Sequence, residues 1–236
     1  LDPAFRALCL RLPGEDDLAQ TIHAMGRIPD PAKIHAARRE MAGALSIRLG
    51  EGLHRLYKDL DDNAPFSPSA DQAGRRALKI AALQLLTRRD GGKLAASAFA
   101  RARSMTEEIG ALAALLDVHQ GEKELVAFAA RWGRDANVMD KWYALQIATA
   151  EPGEAAGLTA RLIETPGFDW KNPNRFRTVI GALAANHAGF HHRSGAGYKL
   201  VADWLLKLDP LNPQTASRVS TAFETWPRYD AARRKL

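Results

Sequence analysis

Three neighbouring histidines, His187, His191 and His192, carry the plainest hint of chemistry in the sequence. His187 and His191 are four residues apart, the spacing that lets two imidazoles on one helix face share a zinc ion. In the hydrolytic form of that motif, a glutamate beside the first histidine acts as general base. Here Ala188 takes its place, and Gly189 argues against a continuous helix. The only cysteine, Cys9, is remote in sequence. The histidines are expected in a loop or at a helix end, and no catalytic or metal-binding residue is assigned to the chain. No G-x-S-x-G elbow or Walker loop occurs. Gly195-Ala196-Gly197 is too short for a dinucleotide fingerprint and follows no strand.

Two proline-led segments offer anion recognition instead. Asn172-Pro173-Asn174-Arg175-Phe176-Arg177 places a good N-cap before a proline at the first helical position, with two arginines in or near the first turn. Cations there oppose the helix dipole by roughly 0.3–1 kcal/mol each, yet together with free amides they create a place for a carboxylate. Asn212-Pro213-Gln214 opens a second such helix, on which Gln214 and Arg218 are four apart and share a face. Spacing alone reads these arginines as salt-bridged or exposed. The five tryptophans (Trp132, Trp142, Trp170, Trp204, Trp226) could stack on bases, but several fall on apolar stripes and are expected in the core.

The elements that must position these residues are helices. Alanine is abundant and β-branched runs are scarce. Ala77, Leu78, Ala81, Ala82, Leu85 and Leu86 form one stripe; Ile109, Leu112, Ala113 and Leu116 form another, as do Val201, Trp204, Leu205 and Leu208. The one segment with a strand-like look is Ala7 to Leu12, which could equally be an extended lead-in over residues 1–13. Breaks fall at Pro13-Gly14, Pro29-Asp30-Pro31, Pro65 to Pro68, Asp90-Gly91-Gly92, Pro152-Gly153 and Asn172-Pro173. Ser104 with Glu107 fits a capping box. The spacing predicts about ten to twelve helices joined by short turns. They are expected to pack as antiparallel pairs in an irregular, armadillo/HEAT-like superhelix, since no repeat of fixed length is visible. An ordinary globular bundle is the other arrangement this pattern allows.

Composition bounds the function. The 236 residues are enough to bury a real core, and 46% hydrophobic with 25% charged residues excludes global disorder. The net charge of +6 is spread along the chain, which suits solvated helix surfaces better than a nucleic-acid partner. No apolar run approaches the roughly 20 residues of a membrane span. One cysteine cannot form an internal disulfide, so a reducing, cytoplasmic setting is expected. The chain has no initiator Met and no signal-peptide pattern, and it ends abruptly after Arg233-Arg234-Lys235-Leu236. It is expected to be a piece of a longer protein.

At Asn137-Val138-Met139-Asp140-Lys141-Trp142-Tyr143-Ala144-Leu145-Gln146 the chain resembles the C-terminal helical domain of bacterial aminopeptidase N, a gluzincin metallopeptidase family. The resemblance continues through Asn172 to Arg177, Ile180-Gly181-Ala182, Phe190-His191, Gly195, Gly197-Tyr198, Asn212-Pro213-Gln214, Ala216-Ser217-Arg218 and Arg228-Tyr229-Asp230. Leu1 to Phe5 and Ser104-Met105-Thr106 fit as well, so it covers nearly the whole chain. It implies one helical domain over residues 1–236, with the family's last helices missing. It also implies that zinc and its H-E-x-x-H motif belong to an earlier domain, and that this domain covers the active-site chamber. Arg177, Gln214 and Arg218 would then face the substrate channel, with peptide and the preceding domains as partners. On its own this chain should not turn over substrate. The alternative is a stand-alone helical-repeat adaptor that binds a protein or a nucleic acid.

Overall fold

The computed structural model describes residues 2–61 and 65–236. Among them are fifteen α-helices and no strand. In chain order they are α1 (Pro3–Cys9), α2 (Glu15–Ala24), α3 (Pro31–Arg48), α4 (Gly50–Asp59), α5 (Ala70–Asp90), α6 (Lys93–Arg101), α7 (Met105–Leu116) and α8 (Glu122–Trp132). Then follow α9 (Ala136–Thr149), α10 (Ala155–Ile163), α11 (Pro173–Ala185), α12 (His187–Phe190), α13 (Ala196–Leu208), α14 (Pro213–Ser220) and α15 (Ala231–Lys235). A 3-10 segment, Thr221–Arg228, lies between the last two. The all-α expectation holds. The count exceeds the expected one partly because α1, α12 and α15 are too short to leave a full apolar stripe in the sequence.

The contacts gather into two compact units, one of residues 1–12 and 38–131, the other of residues 13–37 and 132–236. The first is organised on α5, which packs against α1, α4, α6 and α7. Ser69 caps α5 by accepting from Gln72 N at 3.4 Å. Gly91, at φ 65°, supplies the left-handed residue that ends it. The expected stripe is buried from Leu78 to Leu86, with Ala77 half-buried, but Leu83 is buried too, at 3% exposure, because neighbours surround this helix on more than one face. A Cβ on Gly74 would stand 3.1 Å from Ala4 N, so glycine allows α1 to lie close against α5.

That contact corrects the expected lead-in over residues 1–13. Pro3–Cys9 is helical because Asp2 accepts from Phe5 N at 3.0 Å and Pro3 is preset for the first turn. Ala7 and Leu10, three apart, pack with Leu60, Leu78 and Ala81, while Leu8 is 60% exposed. This is a helical face, not strand alternation. Leu1, the first residue of the family match, lies outside the described residues.

The second unit is built around α11, which packs on α9, α10, α12, α13 and α14. Phe176, Val179, Ile180 and Leu183 are all fully buried. Each such side chain contributes about 1.5–3 kcal/mol through removal from water. Trp142, Trp170 and Trp204 pack at the margin of this core, as expected, whereas Trp226 is 53% exposed.

Candidate functional site

The two segments that carry the family resemblance meet in the second unit. Asn172 caps α11 by accepting from Asn174 N at 2.9 Å and Arg175 N at 3.4 Å. The two arginines of this turn then separate. Arg175 is buried: its Nε stands 2.7 Å from Asp140 Oδ1, it donates to Ala136 O at 3.2 Å, and it lies over the Tyr143 ring at 4.6 Å. Asp140 and Tyr143 belong to α9, so Arg175 fastens α9 to α11 and is not available to a ligand. Arg177 is exposed and folds back on its own turn, donating to Pro173 O at 3.2 Å and to Asn174 Oδ1 at 2.6 Å.

Arg177 also lines an open depression of about 550 Å³ between α9 and α11, together with Asn137, Lys141 and Asn174. Asp140 lines it too, but its carboxylate is paired with Arg175, so two cations and two amides are left to meet an acceptor-rich ligand such as a peptide backbone. Gln214 and Arg218 are both exposed on α14, whose cap Asn212 accepts from Thr215 N at 3.0 Å. Ala216 and Val219 of α14 share the buried core of α11. The core thus holds both helices firmly and leaves the three polar side chains in solvent.

The histidines sit at the ends of a short helix, as expected, but they are buried there. His187 begins α12 and His191 caps its C-terminus, with Gly189 inside that helix, and they are 7% and 4% exposed. His187 Nε2 is 2.9 Å from the Tyr229 hydroxyl, and His191 Nδ1 is 2.7 Å from the Tyr198 hydroxyl. His191 packs on Tyr229 with ring centroids 4.1 Å apart. Glu15 Oε1 lies 2.7 Å from His35 Nδ1, and Glu15 Oε2 lies 3.7 Å from His187 Nδ1. Arg233, 4% exposed, donates from Nε to His191 O at 2.7 Å and pairs with Asp230 and Asp30.

Burial shifts these groups far. It would raise the Glu15 carboxyl, but hydrogen bonding and charge from His187 and His35 outweigh it and hold the group at about 2. Burial, reinforced by the neighbouring His187 ring and the Arg233 guanidinium, pushes His191 down to about 3, so its ring is neutral. Burial raises both Tyr198 and Tyr229 to about 12. The residues do not fit zinc. Nitrogens of His187 and His191 already face tyrosine hydroxyls, and the described residues contain no group of three His, Cys, Asp or Glu side chains able to hold a metal. Spacing could not foresee this network, because Glu15, His35, Tyr229 and Arg233 come from distant parts of the chain. Only the Arg228-Tyr229-Asp230 match hinted that the tyrosine matters.

The helical architecture and the paired α9–α11 segments define the class: a helical-repeat domain of the kind carried by aminopeptidases. A family profile described as "Domain of unknown function (DUF3458_C) ARM repeats" matches residues 1–236, and the chain belongs to that family. It is 38% identical over 234 residues to aminopeptidase N of Caulobacter vibrioides, covering 97% of this chain and 26% of the relative. Against aminopeptidase N of Haemophilus influenzae the identity is 33%, with 100% of this chain and 27% of the relative covered. The crystal structure of Legionella pneumophila aminopeptidase A in complex with aspartic acid superposes with a TM-score of 0.87 at 25% identity, covering all of this chain and 29% of that one. The chain therefore spans about a quarter of the length of these relatives. Among the described residues, no helix is long and apolar enough to cross a membrane.

Proposed function

We propose that this chain is a non-catalytic helical domain of a larger zinc aminopeptidase, where it covers the active-site chamber and lines the path taken by peptides. The observation that carries this reading is the match of essentially the whole chain to a quarter of aminopeptidase N at 38% identity. The relatives favour it over a stand-alone adaptor. Zinc and the bond-breaking step belong to the preceding domains in this proposal, and no step is routed through residues of this chain. Arg177, Gln214 and Arg218 act as channel residues. Their exposed donors take the carbonyls or the terminal carboxylate of a peptide whose N-terminus lies in the chemistry-bearing domain. Arg175 has a structural part only. Its guanidinium is already committed to Asp140 and Ala136. The single free cysteine, Cys9, suits a reducing, cytoplasmic setting.

The complete reading frame around this chain tests the proposal. It should encode H-E-x-x-H and a further glutamate upstream, and its product should hydrolyse aminoacyl-anilides in a chelator-sensitive way. The 236-residue chain alone should show no turnover, with or without added zinc. A reading frame without the motif, or hydrolysis that co-purifies with this chain, contradicts the assignment.

A further inference from the structure

The first unit contains a polar cavity of about 310 Å³ that the peptidase reading does not use. Four cations line it, Arg76, Lys79, Arg101 and Arg103, against two carboxylates, Asp61 and Glu107. Both carboxylates are already engaged. Lys79 Nζ is 2.7 Å from Asp61 Oδ1 and 3.6 Å from Glu107 Oε1. Glu107 Oε2 accepts from Arg103 N at 3.1 Å and from Ser104 Oγ at 3.4 Å. Arg76 is occupied as well, donating to Ser67 O at 2.9 Å and lying 4.7 Å over the Phe66 ring.

Two groups remain. Arg101, on the last turn of α6, has no hydrogen bond or ion pair among the described residues. The Tyr57 hydroxyl has no hydrogen-bond partner there either, although Tyr57 is only 6% exposed. Burial raises the Tyr57 phenol above its usual value, so it keeps its proton and is available as a donor. Solvent reaches both groups, Arg101 being exposed, so a ligand can reach them too. Both unmatched groups are able to donate, one of them charged, and beside them stands an apolar wall of Ile80, Leu83 and Ala98. The volume lies at the small end of ligand sites.

We propose that this cavity binds a small organic anion, a carboxylate or a phosphate monoester, whose head is taken by the Arg101 guanidinium and the Tyr57 hydroxyl and whose carbon body covers Ile80, Leu83 and Ala98. The proposal is independent of the peptidase assignment, since it uses only side chains of the first unit.

Titration calorimetry on the 236-residue chain tests it, with phenyl phosphate, benzoate and the uncharged benzyl alcohol as probes. One or both anions should bind saturably at one site, and the tighter of the two identifies the preferred head. Benzyl alcohol should not bind. Arg101→Gln should weaken anion binding by roughly tenfold or more, and Tyr57→Phe by several-fold, with the thermal melt of each variant unchanged. The second substitution preserves shape, so a loss there reports the hydroxyl itself. Absence of saturable binding up to about 10 mM of either anion, equal binding of all three probes, or wild-type affinity in both variants would overturn the site.

Discussion

The α5-centred and α11-centred units place their polar side chains differently, the first around a cavity and the second inside the fold. In the first, charged side chains line an open cavity, and Arg101 and the Tyr57 hydroxyl have no hydrogen-bond partner among the described residues. In the second, histidine, tyrosine, glutamate and arginine lie inside the fold and bond to one another, with Tyr229 at 1% and Arg233 at 4% exposure. Of this network only His35 Nε2 and His187 Nδ1 are buried without a hydrogen bond among the described residues. A satisfied interior network specifies architecture, because each member is costly to leave alone. Donors left unmatched at a cavity wall are what the proposed anion would meet. Residue type does not separate the two cases. Tyr57 and Tyr229 are both buried tyrosines, and only their partners differ.

Removing a member of the satisfied network should cost most. Arg233→Met strands the His191 carbonyl and leaves Asp230 without its cation, while Asp30 keeps Arg193 at 3.4 Å, so the loss should be about 2–3 kcal/mol in urea unfolding. Lys79→Met in the first unit, where Asp61 is 46% exposed at the side chain, should cost roughly 1 kcal/mol. The reverse order would break the comparison. Acid should act next. His191 is held at about 3 when folded and takes up a proton near its ordinary value of 6.5 when unfolded. Its contribution is present above about 6.5 and is lost as pH falls toward 3. Glu15 adds a loss between 4.5 and about 2. Melts from pH 7 to 3 should therefore decline by an amount on the order of 1 kcal/mol per pH unit, and His191→Asn should flatten that slope. An unaltered slope would show that His191 is not the group responsible.

The two tyrosines give a smaller and sharper contrast. Tyr229→Phe loses the contact with His187 and should cost about 1–2 kcal/mol, whereas Tyr57→Phe should stay within about 0.5 kcal/mol. Equal effects would remove the distinction between the units. Smallest of all is the response to chelator. Since His187 and His191 are held by tyrosines, helical circular dichroism melts should not change, and a large drop would reveal a structural metal.

Helix class, most breaks and the caps at Ser104, Asn172 and Asn212 were legible in the sequence, because they depend on residues within a turn of one another. The stripe from Ala77 to Leu86 was legible for the same reason. The helix at Pro3–Cys9 has a local cap of the same kind, Asp2 before Pro3, but its seven residues leave too short an apolar face to be told from an extended segment. Nor did spacing separate Arg175 from Arg177. They are adjacent in pattern, but one meets Asp140 in α9 and the other meets solvent. The proposed channel role of Arg177, Gln214 and Arg218 rests on the family resemblance. The structure adds that all three are exposed on helices anchored in one core.

Arg218→Ala in the complete aminopeptidase polypeptide tests the channel reading most directly. Arg218 is exposed on α14, so its removal should leave the melt and the zinc content unchanged. A charged hydrogen bond to peptide is worth about 1.5–3 kcal/mol when desolvated, less in an open channel. On tetrapeptides kcat/KM should fall roughly ten- to a hundredfold, while an aminoacyl-anilide, too short to reach the residue, should be hydrolysed as by wild type. Equal kinetics for mutant and wild type on tetrapeptides would contradict the account, and a fall in stability would instead assign Arg218 to the fold.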